Sequence, residues 1–222
     1  MKTIDAKRKD LKTVNRALRA SLNGHPVAVK HTEHLHGLAA GFRHGELFVQ
    51  GDAGDYLGVL NAGATIRVTR DAGRYLADNM TAGTVIVNGS AEYGAGQYCY
   101  GGTLVVRGDA GDFTATMNKG ATIIVCGDVG DEAGTYMLKG DLIVVGNAGA
   151  NFANYLIRGS AYIGGAWQSL GHNTRVEPLI DEDLAKLRAY FETYQIDADP
   201  ATFRKIVAAS EKPFYNPPTS NL

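Results

Sequence analysis

The sequence predicts an all-β solenoid: a single-stranded, right-handed parallel β-helix of about seven 19-residue coils, with a short N-terminal helix before it and a C-terminal helical segment and tail after it. Seven positions, Gly51, Arg70, Gly89, Gly108, Gly127, Gly146 and Gly165, recur at a fixed interval of 19 residues. Around them the chain reads ELFVQGDAG, TIRVTRDAG, TVIVNGSAE, TLVVRGDAG, TIIVCGDVG, DLIVVGNAG and SAYIGGAWQ, an apolar strand running into a Gly-Asp-Ala-Gly turn. Val49, Val68, Val87, Val106, Val125, Val144 and Ile163 form one column, and Leu47, Ile66, Val85, Leu104, Ile123 and Leu142 form another two residues earlier. That spacing is the strand period, so both columns point to one side, which is inward.

A 19-residue unit is too short for a helix pair and lies in the range of solenoid coils. Nineteen strand residues trace about 60 Å while stacked strands lie about 4.8 Å apart, so each unit is one coil and seven coils rise about 35 Å. Glycine and β-branched residues, both poor helix formers, crowd the repeat. The right hand follows from the handedness of parallel crossovers. Seven residues past each turn residue stands a side chain no larger than a methyl group (Gly58, Ala77, Gly96, Ala115, Gly134, Ala153), which marks a tight corner. A second glycine per unit (Gly45, Gly63, Gly83, Gly102, Gly120, Gly140, Gly159) opens each strand at slightly uneven spacing, so one corner absorbs a one-residue shift.

Three regions follow: 1–25 as an N-terminal helix and cap, 26–170 as the β-helix, and 171–222 as C-terminal helices and an extended tail. Residues 6–22 carry Leu11, Val14, Leu18 and Leu22 at helical spacing, an amphipathic helix suited to covering the first coil. A degenerate coil at 26–44 leads in, with Ala39 at the phase of the small column. After Gly165 the pattern stops. Pro178 precedes Asp181, Glu182 and Asp183, acids that suit the positive end of a helix whose buried face is Leu184, Leu187 and Phe191. Pro200 opens a second, shorter helix predicted over 200–209. The tail EKPFYNPPTSNL is too rich in proline to fold alone; Phe214 and Tyr215 read equally as solvated residues or as an arm that docks on a partner. A β-helix protects its edges only by capping, so one flank or end is expected to be covered by another subunit.

Composition narrows the partners. With 222 residues, 45% hydrophobic content and a net charge of −1, the chain has length for one sizeable core and no charge preference for nucleic acid. Lys7, Arg8 and Lys9 are followed at once by Asp10, a solvated helix face. No apolar run approaches the roughly 18 residues of a membrane helix, and none at the N-terminus reads as a signal segment, so the expected location is the cytoplasm. Cys99 and Cys126 fall at different phases of the repeat and are expected to be free thiols.

Catalysis needs convergent groups of differing pKa, whereas a solenoid offers ladders of like residues. The ladder Asp52, Asp71, Ser90, Asp109, Asp128 and Asn147 could bind calcium, but Asp and Asn are also turn formers and one acid per 19 residues is sparse, so turn structure is the better reading. His31, His34, His36 and His44 lie in one stretch with Glu33, types and spacings that can supply metal ligands; they read better as surface histidines. His172 follows the last coil as a candidate interface residue. The glycines around Gly94 and Gly96 lack the strand-to-helix transition and the lysine of a phosphate loop. No catalytic, cofactor-binding or metal-ligating residue is therefore assigned.

The units GTVIVNGSAEYGAG, GGTLVVRGDAGDF and KGATIIVCGDVGDEAG resemble the C-terminal GXGXG domain of the glutamate synthase large subunit and its stand-alone versions, over about residues 45–195. Asn79-Met80 with Gly83-Thr84-Val85, and Gly101-Gly102 with Leu104-Val105, are most similar to the β-helical subunit of N-methylglutamate synthase. The structural, β-helical subunit of formylmethanofuran dehydrogenase, and that of the related formyltransferase/hydrolase complex, is a more distant resemblance with the same solenoid. The resemblance implies a structural subunit without cofactors of its own. It places FMN and an iron–sulfur cluster in a synthase subunit, and ammonia release in a class II amidotransferase-like subunit of the same hetero-oligomer. Lys2 agrees, since removal of Met1 would not expose the cysteine nucleophile of such an amidotransferase, and the chain has no clustered cysteines for an iron–sulfur centre. The alternative complex would be of the formylmethanofuran dehydrogenase or formyltransferase/hydrolase type.

Overall fold

Each valine of the repeat lies over the valine of the next coil. Val49 pairs with Val68, Val68 with Val87, and so on through Val106, Val125, Val144 and Ile163, in unbroken parallel register. The computed structural model describes residues 1–22 and 24–210. Its elements are β1 (Lys2–Asp5), α1 (Leu11–Ser21), β2 (Val27–Thr32), β3 (Glu46–Ala53), β4 (Ala62–Val68), β5 (Ala82–Val87), β6 (Thr103–Val106), β7 (Lys119–Val125), β8 (Lys139–Val144), β9 (Ser160–Ile163), β10 (Thr174–Glu177), α2 (Asp181–Tyr194), a 3-10 turn Pro200–Thr202, and β11 (Arg204–Ala208). All the strands form one 11-stranded sheet, in sequence order to β9 and then β11 and β10. The molecule is a parallel β-solenoid of about seven turns.

Both apolar columns are buried inside the coil as their spacing requires, Leu47, Ile66, Leu104 and Ile123 among them. A second ladder of single bridges joins Ala53, Ala72, Ala91, Ala110, Val129, Ala148 and Trp167 beyond the turn, so coils are tied together on two sides. The small column sits in left-handed backbone, with φ of +56° to +61° at Ala77, Ala115 and Ala153. That conformation disfavours side chains, and the ladder bonds on either side hold it. The one-residue shift is real: register slips between Ala62 and Thr65 and again between Lys119 and Thr122.

α1 starts at Asp10, whose carboxylate accepts the Thr13 N–H at 2.8 Å, and it buries Val14 and Leu18 against the first coils. Ahead of it, β1 adds a strand to β2 that no periodicity in the sequence announces. α2 lies on the outside of the sheet. The residues between the two inward columns, Ile86, Val105, Ile124, Ile143 and Tyr162, point out and are buried under Leu187 and Phe191 of α2 and under Phe203. These strands therefore bury both faces, which is why they read as continuous apolar runs rather than an alternation.

The helix predicted over 200–209 is absent. Pro200 begins one 3-10 turn, capped by Asp199, and Arg204–Ala208 then runs antiparallel to β9 as β11. The β-branched pair Ile206 and Val207 favours a strand, and the open edge of β9 supplies the backbone partners. β10 closes on β11, and its own far edge pairs with no strand among the described residues, with Val176 47% exposed. Phe214 and Tyr215 lie outside the described residues.

Candidate functional site

The four clustered histidines do not converge. His31 Nδ1 lies 2.9 Å from Asp5 Oδ1, and His34 Nε2 lies 3.1 Å from the Lys9 carbonyl. His36 Nδ1 accepts the Asp55 N–H at 3.0 Å, while His44 faces another hollow with His25. The Asp5 carboxyl is held well below the usual carboxylate range, first by His31 and then by the Lys7 N–H. Among the described residues no three His, Cys, Asp or Glu side chains gather as they would around a metal ion.

The aspartate ladder has a structural task. Asp52 accepts the N–H of Asp71, Asp71 that of Ser90, Ser90 that of Asp109, Asp109 that of Asp128, and Asp128 that of Asn147. Asn147 passes the pattern to Ala166. A second file does the same three residues on: Asp55 accepts from Arg74, Asp112 from Asp131, and Asp131 from Ala150. Each carboxylate thus serves the equivalent turn of the following coil. This also explains the glycine before it, because a Cβ on Gly127 would collide with Asp109 Oδ1 and sit 2.8 Å from the Gly108 backbone. The Gly-Asp pair of the motif is one contact made between successive coils.

A buried cluster of ionisable groups lies elsewhere, where α2 meets the last coils. Tyr162 Oη donates to Asp183 Oδ1 at 2.6 Å, Lys205 Nζ donates to Asp183 Oδ2 at 2.9 Å, and the Ile180 N–H reaches the same oxygen at 3.1 Å. Lys186 Nζ bridges Asp141 and Tyr162 at 3.1 and 3.2 Å. Burial pushes the Tyr162 phenol up to about 12, with its bond to Asp183 adding to the shift. Burial acts to raise Asp183, but the bonds from Tyr162 and Lys205 outweigh it and hold the carboxyl below its ordinary value. Asp183 was visible in the sequence only as an acid in a helix first turn; its 4% exposure follows from Tyr162 and Lys205, distant in the chain. Every member already has a partner inside the cluster, so it fixes α2 rather than addressing a substrate.

No element among the described residues covers the outer face past the end of α2. Beyond the end of α2, a hollow of about 370 Å³ is lined by Thr65, Arg67, Thr84, Ile86, Arg107 and Tyr194. A second, of about 470 Å³, shares Thr65 and Arg67 and extends to His25, His44 and Glu46. Arg107 Nη2 donates to the Tyr194 carbonyl at 2.7 Å, which places a cation on the C-terminus of α2. Arg67 Nε meets Glu46 Oε1 at 3.2 Å.

Cys99 and Cys126 are free thiols. Cys99 points inward, and burial raises its thiol to about 12, which removes it as a nucleophile. Burial also raises Cys126, offset in part by Arg107. The His172 ring lies 5.5 Å from the Tyr155 ring between centroids, tilted by 33°, at the end of the coils. No helix among the described residues is long and apolar enough to cross a membrane.

Against known proteins, the family model described as "GXGXG motif" matches residues 10–197. A search of curated proteins gives no match.

Proposed function

We propose, from the premise that this chain belongs to the GXGXG motif family, that it is a non-catalytic, structural subunit of a glutamate synthase-type complex. The finer reading is N-methylglutamate synthase, which joins methylamine to the glutamate skeleton and releases ammonia. In that assembly the chain holds an amidotransferase-like subunit and an FMN and iron–sulfur synthase subunit in fixed geometry, in the cytoplasm.

One observation carries the reading. Chemistry-bearing side chains are spent on the coil itself: the ladder carboxylates each take an N–H of the next coil, and Tyr162, Asp183, Lys186 and Lys205 are paired with one another beneath α2. Catalysis asks for such groups to face a cavity. The residues present do not fit an iron–sulfur cluster, since the two cysteines occupy different faces and one is sealed in the core. The far edge of β10, which pairs with no strand among the described residues, supports a partner contact there, with Val176 and, just past the strand, Ile180 about half exposed.

The test is direct. The purified full chain, mixed with FMN and with glutamine in separate assays, is expected to bind no flavin and release no ammonia. Stoichiometric flavin binding or glutamine turnover by the chain alone would refute the scaffold reading.

A further inference from the structure

Two arginines and two threonines line the hollow beside the end of α2, and their chemistry is that of an oxyanion receptor. Thr65 and Arg67 come from β4, Thr84 from β5, and Arg107 from the residue after β6, so three successive coils supply them. Arg107 is half-buried between coil and helix, and its one hydrogen bond among the described residues goes to the Tyr194 carbonyl. A guanidinium has five donors and a permanent charge. One carbonyl at a helix C-terminus compensates only part of that charge, and no carboxylate among the described residues pairs with it. Arg67 is engaged through Nε with Glu46, and both side chains are more than a third exposed, so its terminal nitrogens remain available. The Thr65 and Thr84 hydroxyls stand on the same outward face and make no hydrogen bond to another described residue.

We propose that this hollow binds a small oxyanion, a carboxylate or phosphate group, between Arg107 and Arg67, with the two threonine hydroxyls completing its hydrogen bonds. Guanidinium suits such ions because its planar fork presents parallel donors to two oxygens. About 370 Å³ admits a small anion with several heavy atoms. Glu46 is the built-in competitor: it already supplies a carboxylate to Arg67, so an incoming anion must share that arginine or displace it. The site stands whichever complex the chain joins.

The experiment is a titration of the isotope-labelled full chain by amide NMR at low ionic strength, where screening is least, with inorganic phosphate and succinate as separate probes. Saturable shifts centred on Thr84 and Arg107 are expected with at least one probe. Arg107→Gln is expected to weaken binding about tenfold, the scale of one lost charge-assisted bond. Because that variant also disturbs the end of α2, two others decide the matter should it unfold. Thr84→Val leaves the helix contact intact and is expected to weaken binding several-fold, and Glu46→Gln is expected to tighten it by freeing Arg67. Shifts that never saturate, or identical titrations for wild type, Thr84→Val and Glu46→Gln, would overturn the site. So would a glutamate-rich peptide that binds there when neither small ion does, since the carboxylate would then belong to a docked chain.

Discussion

Gly127 shows what the repeat asks of a single residue. It lies where the carboxylate of Asp109 reaches over to the next coil, with no room for a methyl group. Gly127→Ala is expected to destabilise the fold by about 1–3 kcal/mol, the usual cost of overpacking, read as a lower urea midpoint at unchanged slope. Asp183 makes a prediction about pH. Its carboxyl is depressed in the fold, so its contribution is present above the unfolded carboxylate value and is lost as pH falls through the lower folded one. Tyr162 is shifted the other way; its contribution is present below about 10 and is lost as pH rises through about 12. Asp183→Asn is expected to flatten the acid limb of a stability-against-pH profile. It should also cost about 3 kcal/mol near neutrality, because Lys205 loses its buried partner. An unchanged acid limb would remove Asp183 from the account. The ladder aspartates were legible at this scale as turn formers, since their period places them at every turn. Their bond to the next coil was not, because which oxygen meets which N–H depends on the stacking offset.

α2 is the element on which the outer face depends. Leu187 and Phe191 cover Ile143, Tyr162 and their neighbours, so Leu187→Ala is expected to cost about 2–5 kcal/mol. Hydrogen exchange should then show α2 opening before the coils beneath it. Simultaneous loss of protection in coil and helix would contradict a separately docked element. The sequence revealed α2 through its acids and apolar stripe, yet not what it packs on, because Ile86, Val105 and Ile124 sit between columns already assigned inward. β1 and β11 escaped for a related reason: strands of four and five residues exist only because a neighbouring edge offers them hydrogen bonds. β10 carries the element-scale test of assembly. Val176→Asp is expected to leave the melting temperature of the isolated chain unchanged while weakening partner retention in pull-downs; full retention would move the contact elsewhere.

At the scale of the molecule, the 19-residue period determined the coil because identical residues at identical phase can satisfy each other only by stacking. The same regularity leaves little for chemistry, and the histidine stretch, the one irregularity that suggested a metal, disperses onto Asp5, Lys9 and Asp55. What remains among the described residues is one continuous sheet whose edge strands are β1 and β10, with an outer face past the end of α2 that no described element covers. On the proposed reading, such a body positions other proteins. The most direct measurement of that claim is purification of the full chain from its native cells at its natural expression level, followed by subunit identification, stoichiometry, and flavin and iron analysis. The account predicts a fixed stoichiometric complex containing an amidotransferase-like subunit and a synthase subunit that holds all the flavin and iron. A chain that purifies alone, or in a fixed complex with a tungsten, molybdenum or zinc hydrolase subunit and no flavin, would contradict it.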